Sequence, residues 1–206
     1  MSQLINAEQR TPEWFSARLG KATGSRFSDI MAKTRSGYSS SRKNYAAELV
    51  TEILTNTPSE SYTSGAMQWG TDNEPVARLQ YELSTGNEVL ETGFWIHDTL
   101  SAGASPDGFI GTDGLIEIKC PNTATHIDTL ISKKLPRQYE AQVQGQMWIT
   151  GRTWCDFVSF DPRLPENVQM FVVRVERDDL YIKELEEEII KFLEEVDNLV
   201  EFIKSY

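Results

Sequence analysis

Three residues that could act together in catalysis lie within one short stretch of the chain: Asp107, Glu117 and Lys119. Glu117 and Lys119 are two positions apart in segment 115–120, whose β-branched residues between a glycine and a proline predict a short strand. Alternate side chains of a strand point to the same face, so this carboxylate and this ammonium group should project side by side. Turn residues between Asp107 and the strand predict a chain reversal. The expected result is two carboxylates and one amine on one side of a sheet.

These groups suit a divalent cation bound together with a phosphodiester. Mg²⁺ prefers oxygen ligands, keeps several waters, and binds through one or two carboxylates plus substrate phosphates, which fits Asp107 and Glu117. The main-chain carbonyl of Ile118 would add another oxygen. Lys119 would lie beside the metal-bound water, where its charge could orient a hydroxide or stabilise the attacked phosphate.

Each motif is also common without a catalytic role. A Glu-x-Lys pair occurs on many solvated strands, and residues 105–108, Ser-Pro-Asp-Gly, have the composition of an ordinary turn. Ile116 and Ile118, however, point to the opposite face and should anchor it in a core. Half-buried charges such as Glu117 and Lys119 are usually paired or bind a ligand, so the combination favours a functional site.

The elements that must position these residues alternate along the chain. Helices are predicted after Thr11 and Ser25, over 42–55, and from Trp69-Gly70 to about 85. The remaining predicted elements are strands at 88–97, 101–105 and 114–120, helices at 123–134 and 136–150, strands at 154–161 and 168–175, and a final helix at 180–204. The pattern predicts an α/β fold with a central mixed β-sheet flanked by helices.

Composition excludes several classes of protein. The 206 residues fit one domain of ordinary size, and 39% hydrophobic and 25% charged residues are normal for a globular protein. No run approaches the roughly 18 apolar residues of a membrane helix, and the first residues lack the apolar core of a signal peptide. The two cysteines and two histidines have no metal-ligand spacing. These features predict a cytoplasmic protein without a membrane role.

Charge is distributed unevenly. The net charge of −11 argues against nonspecific binding of nucleic acid. Residues 10–43, however, contain eight basic and two acidic residues, whereas residues 174–206 contain five basic and eleven acidic ones. The basic segment is either a local contact for an anionic partner or a solvated face.

Two predicted helices carry further candidates. Glu74, expected in the first turn of its helix with Pro75 beside it, is either a metal ligand or an acid that complements the helix dipole. Gln142 and Gln146 share one face of the helix at 136–150. Their amides could hold a substrate phosphate, or they could form structural hydrogen bonds.

Taken together, these motifs resemble the PD-(D/E)xK nuclease core. The wider pattern, over about residues 8–178, resembles the lambda-type exonucleases of the YqaJ-like viral recombinase family. The motifs that carry this resemblance, in family order, are Arg18-Leu19-Gly20 with Thr23-Gly24-Ser25, Trp69-Gly70 with Glu74, Ser105-Pro106-Asp107-Gly108 with Glu117-Ile118-Lys119-Cys120-Pro121, Ala141-Gln142-Val143-Gln144 with Met147-Trp148, and Asp161-Pro162-Arg163.

The resemblance implies a 5′→3′ exonuclease that degrades one strand of linear duplex DNA. It would depend on Mg²⁺, for which Mn²⁺ can substitute, with two ions in the site. The product would be 3′ single-stranded overhangs for a phage-type single-strand annealing recombinase. The family also forms ring-shaped homotrimers around DNA. The chain would then be one nuclease domain over 1–206, with a helical part at about 10–85, a catalytic core at about 86–176 and an acidic helix at about 179–205.

The resemblance also implies roles for individual residues. Asp107, Glu117 and the Ile118 carbonyl would bind the metal, with Glu74 in support, and Lys119 would be the catalytic lysine. The residues matching the family's pocket for the 5′ phosphate are Arg18, Ser25, Ser105 and Gln142. An arginine presents a fork of donors to a phosphate, and a serine at a helix start adds the amides of that end.

Two other functions remain open from the sequence. One is a sequence- or structure-specific endonuclease of the same superfamily, which the core motif does not separate from an exonuclease. Arg18 and Ser25 favour an enzyme that recognises a DNA end. The other is a non-catalytic DNA-binding module derived from a nuclease. The presence of Asp107, Glu117 and Lys119 together argues against that module.

Overall fold

The computed structural model describes residues 2–58 and 64–206, which form three β-sheets and seven α-helices. The helices are α1 (Pro12–Arg18), α2 (Phe27–Met31), α3 (Ser40–Thr55), α4 (Gly65–Thr85), α5 (Thr123–Ser132), α6 (Glu140–Thr150) and α7 (Asp179–Lys204). The strands are β1 (Gln3–Ile5), β2 (Ala22–Thr23), β3 (Lys33–Thr34), β4 (Gly37–Tyr38), β5 (Val89–Leu90), β6 (Phe94–Ile96), β7 (Ala102–Ala104), β8 (Gly108–Ile110), β9 (Gly114–Lys119), β10 (Trp154–Phe160) and β11 (Met170–Glu176). Strands β3 and β4 pair only with each other.

The central sheet has the strand order β11-β10-β9-β8-β5. Strands β9 and β10 are parallel and the other pairs are antiparallel, so the sheet is mixed. On one face, Ile116 and Ile118 of β9 pack with residues of α4; on the other, Leu115 packs with Val143 and Met147 of α6. The predicted fold class, a mixed sheet flanked by helices, is therefore confirmed.

The prediction of one strand over 88–97 was wrong, because the segment divides between two sheets. Strand β5 joins the central sheet, whereas β6 belongs to a second sheet of order β1-β6-β7-β2. Gly93 lies between them, where a Cβ atom would stand 2.2 Å from the carbonyl oxygen of Ile5. The chain can pass so close to β1 only without a side chain at this position. The N-terminal part, expected to be helical, also contributes β1 and β2 to this sheet.

Helix α4 begins earlier than the sequence indicated. Its N-cap is Ser64, whose side chain accepts a hydrogen bond from the Met67 backbone at 3.2 Å. Gly70 suggested a helix boundary because glycine costs about 1 kcal/mol relative to alanine in a helix. Since the helix continues through it, Glu74 and Pro75 lie in the interior rather than in the first turn. The dipole argument for Glu74 therefore does not apply.

The oppositely charged segments of the chain partly neutralise each other. Glu188 of α7 pairs with Lys33 at 3.2 Å and with Arg42 at 3.5 Å, and Arg42 also pairs with Glu195 at 2.8 Å. Arg42 is buried. The buried Arg42 and the exposed Lys33 are thus paired with carboxylates of α7, so segment 10–43 is not one continuous solvated or DNA-facing surface. Among the described residues, no helix is long and apolar enough to cross a membrane.

Candidate active site

The hairpin of β8 and β9 brings the two core carboxylates together. Its antiparallel register pairs Gly108 with Ile116, so Asp107, one residue before β8, continues the register opposite Glu117. The Asp107 Oδ2 atom accepts a hydrogen bond from the Ile118 backbone at 2.6 Å, which fixes the turn against the strand. The chain reversal expected from the sequence is therefore present.

Glu117 is held by three hydrogen-bond donors. It is buried, with 1% of its surface exposed. Its Oε1 atom lies 2.5 Å from the Lys119 ammonium group and accepts from the Gln142 amide at 2.6 Å. Its Oε2 atom accepts from the Gln146 amide, also at 2.6 Å. Because both oxygens have fixed partners, the carboxylate has a defined orientation.

The charges of this cluster influence one another strongly. Burial raises the pKa of Asp107 well above its usual range, and the nearby Glu117 and Glu74 raise it further. Burial disfavours the charged form of Lys119, but Glu117 and Asp107 outweigh this effect and raise its pKa, so the lysine is protonated. The charged form of Asp107 is therefore unfavourable beside Glu117 and Glu74, and a bound cation would relieve this repulsion.

One cavity of about 490 Å³ contains the cluster. Its lining includes every residue that the sequence singled out for the site, namely Arg18, Ser25, Glu74, Ser105, Asp107, Glu117, Ile118, Lys119 and Gln142. Residues from five separated segments thus meet around one space large enough for a nucleotide-sized group.

Arg18 lines this cavity and stacks on an aromatic ring. Its guanidinium group lies 3.9 Å from the centre of the Trp14 ring. Burial lowers its pKa to about 10, so it stays charged at neutral pH. Within residues 2–58 and 64–206 it makes no hydrogen bond or ion pair, although the nearby charge of Glu52 favours its charged form. Arg18 therefore carries a positive charge in the same cavity as Asp107 and Glu117.

Ser105 and Ser25 lie near Arg18 on the cavity wall, but in different settings. The Trp14 indole donates a hydrogen bond to the Ser105 hydroxyl at 2.8 Å, so the same ring contacts both Arg18 and Ser105. Ser25 is exposed within the short 3₁₀ turn Gly24–Arg26, which precedes the five-residue α2. The expected helix-start anion site is not supported at such a short helix, and only the hydroxyl and turn of Ser25 remain available to a ligand.

Glu74 reaches the cavity from the middle of α4. Its carboxylate accepts hydrogen bonds from Arg10 at 2.8 Å and from Arg78 at 3.3 Å. It is therefore paired in this structure while still contributing to the field at Asp107. Arg10 lies in a loop with a φ of 71°, which brings the N-terminal segment across to α4.

Three cavity residues, Gln146, Trp14 and Tyr139, make contacts that the sequence did not predict. Gln146 was identified as sharing a helix face with Gln142, but its contact with Glu117 was not foreseen. Trp14 precedes Arg18 by four residues on α1, a spacing that brings side chains together and could have indicated the stacking. The ring of Tyr139 lies 5.2 Å from the Lys119 ammonium group. No spacing or motif in the sequence indicated this contact.

The donor atoms of the cavity fit a hard divalent cation. Among the described residues, no group of three or more His, Cys, Asp or Glu side chains is arranged to hold a metal ion. Asp107, Glu117 and the Ile118 carbonyl offer oxygen atoms only, and each carboxylate oxygen retains acceptor capacity beyond its present hydrogen bonds. Mg²⁺ prefers a site with few protein oxygen ligands and room for several water molecules. Structural zinc sites, in contrast, are closed by four protein ligands.

The chain is similar to solved structures of exonucleases. The alkaline exonuclease LHK-Exo of Laribacter hongkongensis is 50% identical, with a TM-score of 0.88 over 95% of this chain and 97% of that protein. A second structure of LHK-Exo, in complex with dAMP, gives the same values. A phage-related exonuclease of Haemophilus somnus 129PT, with 18% identity and a TM-score of 0.73 over 89% of this chain and 96% of that one, shares the fold.

A shorter match links the chain to ExoD, an uncharacterized protein of Escherichia coli (strain K12). The two are 36% identical over 59 residues, which are 29% of this chain and 67% of ExoD.

Residues 13–153, more than half of the chain, match the YqaJ-like viral recombinase domain. The likeness to LHK-Exo supports a nuclease, and the exonucleases of this kind are generally metal-dependent and act on DNA. By this match and by the likeness to LHK-Exo, the chain belongs to the YqaJ-like viral recombinase family.

Proposed function

We propose that this protein is a 5′→3′ exonuclease that degrades one strand of linear double-stranded DNA, acting as a single nuclease domain. The 3′ overhangs would serve a single-strand annealing recombinase. The observation that carries the proposal is the position of Arg18 in the same cavity as Asp107, Glu117 and Lys119, with no ion-pair partner among the described residues. A partly buried cation in the cavity of the reacting groups suits the phosphate of a DNA end, which an endonuclease does not need.

The acidic side of the cavity would hold the metal. Asp107, Glu117 and the Ile118 carbonyl would bind Mg²⁺, with Mn²⁺ as a substitute, and Glu74 would support a second ion. The metal supplies Lewis-acid activation of water and of the phosphate. Glu117 is kept in orientation by its three donors, and Lys119 carries a positive charge to the position where the phosphate becomes more negative.

The other side of the cavity would hold the terminal phosphate. Arg18 supplies the charge, and Ser25 and Ser105 supply hydroxyl groups. Gln142 is partly exposed, and its amide donates a hydrogen bond to Glu117. To bind a phosphate, this amide would have to give up that hydrogen bond. LHK-Exo is described in complex with dAMP, a deoxynucleoside monophosphate, which is the chemical class of product that an exonuclease releases.

One experiment separates the candidate functions. The protein is incubated with linear and with closed circular duplex DNA, in Mg²⁺ and in EDTA. Degradation of linear DNA alone, and in Mg²⁺ alone, is expected. Cleavage of the circle would favour the endonuclease, and binding without degradation of either DNA would favour a non-catalytic module.

Arg18 provides a sharper prediction about the 5′ end. Wild-type protein should prefer duplexes with a 5′ phosphate over those with a 5′ hydroxyl. Arg18→Ala should reduce this preference about 10- to 100-fold, because a hydrogen bond to a charged group contributes about 1.5–3 kcal/mol. Rates on matched phosphorylated and dephosphorylated duplexes measure the effect.

A control for this variant is Arg152→Ala. The Arg152 guanidinium also stacks on an aromatic ring, 3.6 Å from the centre of Phe109, but it does not line the cavity. Its removal should leave the preference unchanged. An undiminished preference in Arg18→Ala would mean that the phosphate binds elsewhere.

The family resemblance predicts a homotrimer that encloses the DNA. Sedimentation velocity at micromolar concentration should give the mass of three chains. A monomer under these conditions would exclude the ring, and processive digestion would then need another explanation.

A further inference from the structure

Among the described residues, no group forms a hydrogen bond with one buried polar atom of Gln146. The side chain is 1% exposed, and its Nε2 atom donates to Glu117 Oε2 at 2.6 Å. Its Oε1 atom has no hydrogen-bond partner within residues 2–58 and 64–206. The side chain lines the cavity of the candidate site. A buried acceptor without a donor is unfavourable, so the contents of the cavity are its natural partner.

The orientation of this amide is determined by its surroundings. Glu117 as a carboxylate only accepts hydrogen bonds, so the Gln146 NH₂ group must face it and the oxygen must face elsewhere. The stem of Gln146 lies beside the turn that carries Ser25: a Cβ atom on Gly24 would be 3.9 Å from Gln146 Cγ and 3.2 Å from the Ala104 side chain. Little space remains for the side chain to rotate away.

A second buried glutamine on α6 shows that an unsatisfied amide is not a general property of this helix. Gln144 is 4% exposed. Its amide donates to the Glu176 carbonyl and accepts from the Asp178 backbone, both at 2.9 Å. Both of its polar atoms are therefore satisfied by protein, away from the cavity. The unsatisfied oxygen belongs to the glutamine that contacts Glu117.

We propose that Gln146 is a positioning residue of the metal centre. Its Nε2 atom fixes Glu117, and its Oε1 atom accepts a hydrogen bond from a water molecule held at the cation site. Mg²⁺ keeps several of its waters when it binds to proteins, so such a donor is available there. Gln142 is partly exposed, so its amide can give up the hydrogen bond to Glu117 and bind a substrate phosphate instead. Gln146 is buried and keeps its hydrogen bond to Glu117. This inference rests on the proposed metal-dependent nuclease function.

The test uses Gln146→Met, which keeps the length of the side chain and removes both amide groups. Mn²⁺ binding is titrated by calorimetry in the absence of DNA, and turnover is measured separately. Both Mn²⁺ affinity and turnover should fall about 10- to 100-fold, as is typical when a group that orients a metal ligand is removed. The affinity for DNA in EDTA should not change.

Gln144→Met is the matched control, because it removes a buried amide from the same helix. It should lower the melting temperature while leaving Mn²⁺ affinity at the wild-type value. Wild-type Mn²⁺ affinity in folded Gln146→Met would overturn the proposal. If that variant does not fold, Gln146→Asn, which withdraws the amide from Glu117 by one methylene, decides the question by the same criterion.

A double variant shows whether Gln146 acts through Glu117. Combined with Glu117→Gln, the change Gln146→Met should weaken Mn²⁺ binding less than it does in the wild-type background, because only the contact made by Oε1 is then left to lose. Fully additive losses would contradict a positioning role. Wild-type protein that neither binds Mn²⁺ nor digests DNA would instead refute the proposed function, so the two failures are distinguishable.

Discussion

Asp107→Ala should abolish metal-dependent cleavage while leaving the fold intact. A metal ion that polarises a phosphate contributes several kcal/mol to transition-state stabilisation, so loss of a principal ligand should lower the rate at least about 1,000-fold. Without metal the net effect on stability should be small, because loss of the hydrogen bond from the Ile118 backbone opposes the relief of repulsion from Glu117 and Glu74. Digestion of linear duplex DNA and thermal melting measure the two effects.

Glu117 should be as necessary for cleavage as Asp107, but its replacement should affect the stability of the fold differently. Three donors converge on its carboxylate, so Glu117→Ala leaves Gln146 and Lys119 without their partner. An unsatisfied buried group costs about 1–3 kcal/mol, and Glu117→Gln is therefore the better probe of chemistry. Mg²⁺-dependent cleavage at the wild-type rate by folded Asp107→Ala or Glu117→Gln would refute their assignment as metal ligands.

Lys119→Ala should reduce turnover far more than DNA affinity. The ammonium group is anchored 2.5 Å from Glu117 and lies near the Tyr139 ring, so its charge is held at the reacting centre. A positioned electrostatic group acts mainly on the transition state, and its loss commonly costs on the order of 100-fold or more in rate. Single-turnover rates and DNA binding in EDTA separate the two quantities.

Lys134→Ala serves as the control, since Lys134 is exposed and lies outside the cavity lining. It should change neither quantity. Equal losses of rate and affinity in Lys119→Ala would show that this lysine is only a phosphate contact.

The amino-acid sequence alone was sufficient for the hairpin at the centre of the site. The signals for this hairpin are local in the sequence. The β-branched neighbours of Glu117 and Lys119 indicate a strand, and their two-residue spacing places both side chains on one face. The turn residues after Asp107 indicate a reversal of the chain. The central mixed sheet and the long α7 could be predicted for the same reason, because their periodic apolar residues report which face is buried.

Helix α4 and the second sheet needed the folded structure. Local propensity favours a helix boundary at Gly70, but packing of Ala77 and Tyr81 against the central sheet stabilises the longer helix. The division of 88–97 between two sheets depends on the close approach of Gly93 to β1, distant in the chain. Neither of these contacts can be recognised from the residues next to each other in the sequence.

The partners of the site residues were likewise decided by tertiary structure. The bonds from Gln142 and Gln146 to Glu117 span 25 and 29 positions, and the bond from Trp14 to Ser105 spans 91. Side-chain types indicate which groups can interact, but the packing of α6 and α1 against β-strands determines which pairs come within hydrogen-bonding distance. Among the described residues, that packing also leaves Arg18 without a hydrogen-bonded anion and the Gln146 Oε1 atom without a donor.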